Sequence, residues 1–197
     1  MMQTFLVSTS VVGLAEIGDK TQLLSLVLAA RYRKPVPIVL GAFVATLANH
    51  AGSGALGVLL ARVLSPSILT WAVVASFVMM AGWILVPDKL SDADVVSTKL
   101  PLGIFGTTAL TFFLAEMGDK TQIVTIALAA RFHEFYWVVA GTTLGMMLAN
   151  VPVIYLGHTL ANRMPTRAVH ILASTLFVVL GGLALRAALY PVEYPMF

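Results

Sequence analysis

The sequence predicts an all-α membrane protein of six transmembrane helices, arranged as two inverted three-helix repeats. Three observations carry this. The chain of 197 residues is 59% hydrophobic and 11% charged, with a mean hydropathy of +0.92. A soluble domain is about a quarter charged. Its apolar stretches fall into six segments divided by prolines and short charged loops. The segment 14–22, Leu-Ala-Glu-Ile-Gly-Asp-Lys-Thr-Gln, returns at 114–122 with Met in place of Ile.

The six helices are expected at 4–30, 36–61, 68–86, 103–130, 136–160 and 168–189, each near or above the ~20 residues a span needs. Pro35 and Pro37 separate the first from the second, and Ser65-Pro66-Ser67 the second from the third. Pro87 and Pro101 bracket the longest polar connection, and Pro165 and Pro191 mark the last two ends. These residues break helices or open them at the first turn. The repeat spans nearly the whole chain. Between Leu14–Tyr32 and Leu114–Phe132, twelve of nineteen positions are identical. Gly41 then matches Gly141, and Leu47-Ala48-Asn49 matches Leu148-Ala149-Asn150 after a one-residue slip. Each half holds three helices, so the second must enter the membrane upside down, as in secondary transporters with a midplane site between halves. The division is 1–90 for the first repeat, 91–102 for a cytoplasmic linker and 103–197 for the second.

Basic residues orient the chain. One side carries Arg31, Arg33, Lys34, Lys89, Lys99, Arg163 and Arg167; the other carries Arg62, Arg131 and Arg186. The first is expected in the cytoplasm and both termini outside it. The first apolar segment has no basic leader and carries the motif itself, so no cleaved signal peptide is expected. With no cysteine, thiolate metal chemistry is excluded. No basic stripe interleaved with aromatics suggests nucleic-acid binding.

The motif puts charge where hydrocarbon should be. Glu16 lies about 16 Å into the first helix, near the bilayer centre, and Glu116 matches it in the fourth. Ionisable groups at that depth mark ion paths and proton relays. Glu16 and Asp19 are three apart and are expected on one helix face, as are Glu116 and Asp119; Gln22 and Gln122 follow three further on. Lys20 and Lys120 stand four after each Glu, an intrahelical pairing distance. Gly18 and Gly118 permit either close helix approach or a local break that frees carbonyls. Four carboxylates and two ammonium groups sum to −2, which one divalent cation or two protons would neutralise. Carboxylate and amide oxygens suit Mg, Ca and Mn. The candidate metal ligands are Glu16, Asp19, Gln22, Asn49, Glu116, Asp119, Gln122 and Asn150. The four acids are also the proton carriers. Lys20 and Lys120 are read as electrostatic or structural, and Thr21 and Thr121 as path-lining. Ser25 and Thr125 could line the path or merely bond back to a carbonyl. Asn49 and Asn150 serve equally as ligands or as interhelical hydrogen bonds.

Other features read as structural. His50 has Val151 at its repeat position, and His158 and His170 are expected at the interface. Met79-Met80 and Met146-Met147 are expected to pack. Trp71, Trp83 and Trp137 are expected as interfacial anchors. Asp88, Asp92 and Asp94 are read as a solvated loop.

The twin Glu-x-Gly-Asp-Lys-Thr signature resembles the Gdt-type cation exchanger family, whose bacterial members include manganese exporters of the MneA type. Glu16, Gly18, Asp19, Lys20 and Thr21 match one copy, and Glu116, Gly118, Asp119, Lys120 and Thr121 the other. The resemblance implies Mn²⁺ or Ca²⁺ transport coupled to protons, with the metal as substrate and no cofactor. For a small chain without a targeting extension it implies a bacterial inner-membrane protein exporting Mn²⁺. The rival readings are a Ca²⁺/H⁺ exchanger, a passive cation channel and an intramembrane aspartyl protease. The protease would need a Gly where Glu16 and Glu116 stand.

Overall fold

The computed structural model describes residues 1–86, 102–156 and 166–190. These form eight helices and no strand: α1 (Met2–Ala15), α2 (Lys20–Tyr32), α3 (Pro35–Val63), α4 (Pro66–Trp83), α5 (Gly103–Glu116), α6 (Lys120–Phe132), α7 (Phe135–Leu156) and α8 (Thr166–Leu189). Four stretches are long and apolar enough to cross a membrane: Pro35–Val63, Pro66–Trp83, Phe135–Leu156 and Arg167–Leu189. The helices Met2–Ala15 and Gly103–Glu116 are apolar but shorter. Lys89, Lys99, His158, Arg163 and the acidic cluster Asp88, Asp92 and Asp94 lie outside the described residues, as does nearly all of the expected linker.

The main departure from expectation is at the motifs. The helices expected over 4–30 and 103–130 are each broken in two. Gly18 has φ 85° and Gly118 φ 74°, a region that costs an L residue ~1–2 kcal/mol. Asp19 and Asp119 follow in extended conformation as N-caps of α2 and α6. Glu-x-Gly-Asp therefore spells the end of one helix, a left-handed turn and the start of the next. Both second pieces end alike, on left-handed Arg33 (φ 52°) and His133 (φ 56°). Pro35 then opens α3, its fixed φ suiting a first helical turn.

Packing repeats at the same offset. α1 lies along α7 at Gly141, where an added Cβ would stand 2.6 Å from the Phe5 carbonyl oxygen and 2.8 Å from Ser8 Cβ. α5 lies along α3 at Gly41, where it would stand 2.7 Å from the Phe105 oxygen and 2.8 Å from Thr108 Cβ. The missing side chains let the backbones touch, as small residues do between membrane helices. Gly41→Ala is expected to lower the melting temperature in detergent, overpacking costing about 1–3 kcal/mol. Gly52→Ala, with no atom within 4 Å of its added Cβ, is expected to leave it unchanged; equal melting of both variants would contradict the crossing.

α4 and α8 pair on the outside: Ser174 Oγ donates to the Ala81 carbonyl at 2.7 Å, and the Phe77 and Phe177 rings lie 6.2 Å apart. Leu40, Leu59, Val78, Leu148, Val178 and Leu183 are exposed while Glu16, Asp19, Glu116, Asp119 and Asn150 are buried. This polarity suits a lipid-facing surface, with its ionisable groups inside. Trp71, Trp83 and Trp137 are exposed, and Met80 and Met146 are fully buried.

Candidate functional site

A broken helix leaves carbonyls at one end and amides at the other without partners, and in hydrocarbon each must be satisfied. The motif supplies the partners. In the first break, Asp19 N–H donates to the Glu16 carbonyl at 3.1 Å, and Gln22 N–H to the Asp19 carbonyl at 3.1 Å. Gly18 N–H donates to Gln22 Oε1 at 2.9 Å. The second break repeats all three: Asp119 to Glu116 at 3.0 Å, Gln122 to Asp119 at 3.2 Å, and Gly118 to Gln122 Oε1 at 2.9 Å. Gln22 also donates to the Ala149 carbonyl at 3.1 Å. Both glutamines, expected as ligands, thus close their own turns. No atom lies within 4 Å of a Cβ built on Gly118, so Gly118→Ala strains only the backbone. We expect it to cost ~1–2 kcal/mol and to impair transport more than melting; unaltered transport would show that the turn tolerates reshaping.

The breaks bring three acids together. A carboxylate oxygen from each of Glu16, Asp19 and Asp119 lies within 4.8 Å of the other two, and all three residues are buried. Asp19 and Asp119 stand at helix N-termini, whose dipoles favour negative charge. The break corrects two expectations. Glu16 and Asp19 do not share a helix face, because Glu16 closes α1 and Asp19 opens α2. The lysines do not pair along one helix either. Lys120 Nζ lies 3.1 Å from Asp19 Oδ1, and Lys20 Nζ 3.4 Å from Asp119 Oδ1. Each lysine crosses to the aspartate of the other half.

The two glutamates are held differently. Glu116 accepts from Thr46 Oγ1 at 2.7 Å on Oε1 and from Asn49 Nδ2 at 2.9 Å on Oε2, both from α3. Asn49 also donates to the Phe113 carbonyl. Glu16 accepts only from Thr21 Oγ1, at 2.6 Å, and its Oε1 has no hydrogen-bond donor among the described residues. Asn150, the counterpart of Asn49, accepts instead from Ser25 Oγ at 2.7 Å and donates to the Met146 carbonyl. Thr121 donates to Asp119 Oδ2 at 3.3 Å, and Thr125 only back to the Thr121 carbonyl. Thr46 was not singled out from the sequence; its signal is a hydroxyl three residues before Asn49 on a helix face. His50 is buried, with neither ring nitrogen hydrogen-bonded among the described residues.

Comparisons with known proteins point to a family. The family model of the divalent cation/proton antiporter GDT1 matches residues 4–92 and 104–191. A "putative manganese exporter" of Vibrio cholerae is 51% identical over 181 residues, covering 91% of this chain and 89% of its own. A GDT1-like protein of Synechocystis is 30% identical over 90% of this chain and 94% of its own. The divalent cation/proton antiporter GDT1 of Saccharomyces cerevisiae is 24% identical over 90% and 81%. No solved structure matches the chain. A transporter family leaves no place for the protease reading, and its metal ions are substrates rather than cofactors. With apolar helices around a buried acidic cluster, and two matched segments covering nearly its whole length, the chain is a multi-pass membrane protein of the divalent cation/proton antiporter GDT1 family, whose substrates are divalent cations and protons.

Proposed function

We propose that the protein exports Mn²⁺ from the cytoplasm in exchange for protons. The observation that carries this is the buried cluster of Glu16, Asp19 and Asp119 at the two helix breaks. Three converging carboxylates in low dielectric need a cation or protons to offset them. Hard oxygen donors suit Mn²⁺. The description of the Vibrio cholerae relative supports the choice of ion.

In this reading Glu16, Asp19 and Asp119 hold the metal, and Glu116 replaces Glu16 when the halves exchange roles. The four acids carry the returning protons. Lys20 and Lys120 offset the aspartates in the empty site, Gln22 and Gln122 hold the turns, and Asn49 and Asn150 alternately clamp the glutamate not in use. Thr21 and Thr121 line the site. The pairs α1–α2 and α5–α6 each cross as one discontinuous span. This gives six crossings in two inverted repeats, 1–90 and 103–197, joined by 91–102. The repeated breaks, caps and glycine crossings support it. Positive-inside counting puts both termini outside a bacterial inner membrane.

The halves also differ in packing. Ala127, Ala129 and Ala130 of α6 are buried, whereas Val27 and Ala30 of α2 are exposed. A cavity of about 350 Å³ lies between the ends of α2 and α7, beside Arg33 and Lys34. This asymmetry fits a state loosened on the cytoplasmic side.

The test is transport into liposomes holding the purified protein, with an imposed pH gradient, external Mn²⁺ or Ca²⁺, and internal pH recorded. Mn²⁺ movement matched by opposite proton flux is expected. Metal flux without proton flux would make it a channel. A preference for Ca²⁺ would establish the second reading, which the oxygen-only donor set also fits. Protons compete for the same carboxylates, so apparent Mn²⁺ affinity is expected to fall as pH falls. An affinity unchanged between pH 8 and pH 5.5 would separate the metal from the acids.

A further inference from the structure

His170 belongs to α8, one of the outer helices, and reads from sequence as interfacial. Its Nε2 instead lies 2.8 Å from the carbonyl oxygen of Ile17, inside the first break. A carbonyl only accepts, so Nε2 carries the proton and the ring is the donor. Ile17 sits between Glu16 and Gly18, and its carbonyl belongs to the turn that sets the Glu16–Asp19 separation.

Among the described residues the second break has no such histidine bond. α4, the matching outer helix, carries no histidine, and Thr70 near its start donates its hydroxyl to the Pro66 carbonyl of its own helix at 2.7 Å. Met117, the partner of Ile17, is 57% exposed, whereas Ile17 is partly covered. α8 itself is anchored: besides the Ser174–Ala81 bond and the Phe77–Phe177 contact, Gly181 sits against Phe77 and Val78. A bond from an anchored helix adds a second outside restraint to a turn already tied to α7 through Gln22. Among the described residues, a hydrogen bond ties one break to the outer pair, and none does so for the other.

We propose that His170 is a positioning residue for the cation site, holding the Ile17 carbonyl so that Glu16 and Asp19 keep their ligand spacing. Its hydrogen bond goes to the backbone and not to a carboxylate. This rests on the cation site proposed above and adds that the first break is the one restrained from the outer pair.

Two readouts separate the ideas. The first is hydrogen–deuterium exchange in detergent, without metal, over the amides of 17–20 and 117–120. His170→Ala is expected to speed exchange at the first break only. His170→Gln, whose amide Nε2–H has nearly the same reach, is expected to restore it, and Thr70→Ala to alter neither break. The second is Mn²⁺ transport in liposomes. His170→Ala is expected to raise KM roughly tenfold, within the range for lost outer-shell partners, with kcat within about twofold, and Gln to rescue it. Unchanged exchange in His170→Ala, or a defect that Gln leaves intact, overturns the proposal. Faster exchange with an unaltered KM also overturns it, since the turn would then be restrained without serving the site. A wild-type protein that moves no cation overturns the transport reading itself, whatever the exchange pattern.

Discussion

Asp19→Asn is expected to abolish cation exchange and to destabilise the protein, and the two effects are separable. Asp19 faces Lys120, whose ammonium is 3.1 Å away and whose side chain is only 5% exposed. Removing one member of a buried ion pair costs about 3–5 kcal/mol. A loss of transport alone would therefore be ambiguous between a missing ligand and a damaged fold. The double variant Asp19→Asn/Lys120→Met removes both charges. It is expected to regain most of the lost melting temperature, because apolar replacement of a buried pair is often neutral, and to remain without transport. Double-variant protein that exchanged Mn²⁺ like the wild type would show Asp19 to be structural only.

The second large effect is a difference between the glutamates. Glu16→Gln is expected to weaken Mn²⁺ binding by more than the roughly 10–100-fold that loss of an outer-shell partner costs. Glu116→Gln is expected to keep Mn²⁺ affinity within about tenfold of wild type while stopping net exchange. Both oxygens of Glu116 are occupied by Thr46 and Asn49, whereas Glu16 lies in the acidic cluster with Oε1 unengaged among the described residues. Calorimetric titration of detergent-purified protein measures the affinities, and liposome flux the exchange. The reverse pattern would move the metal to the second half. Equal loss of affinity in both variants would mean that all four acids bind at once.

Much of this was open to a reader of the residues. The doubled motif, its depth in apolar sequence and the hard-oxygen donor set required no coordinates. Charge in hydrocarbon is expensive wherever the chain puts it, and the repeat aligns by eye. The glycines were ambiguous. A Gly among apolar residues serves close packing or a positive φ, and composition does not distinguish the two. Here Gly41 and Gly141 took the first role and Gly18 and Gly118 the second.

That choice governed the errors. A four-residue spacing brings Lys20 to Glu16 only on a continuous helix. Once the helix breaks, the ammonium is released to Asp119, on the other half of the chain. Gln22 and Gln122 are candidate ligands from the sequence because their oxygens lie near the acids. The break gave those oxygens a more urgent partner, an unsatisfied glycine amide.

By itself the sequence determined the class of protein, the identity of the acids and the existence of two like halves, because hydropathy and repetition are properties of the chain. Tertiary structure alone decided which lysine serves which aspartate, that Glu116 is clamped by α3, and that His170 of α8 reaches the first break. Those pairings join residues from dozens to more than a hundred positions apart. Two near-identical motifs carry no local information about which of them a neighbouring helix will cover.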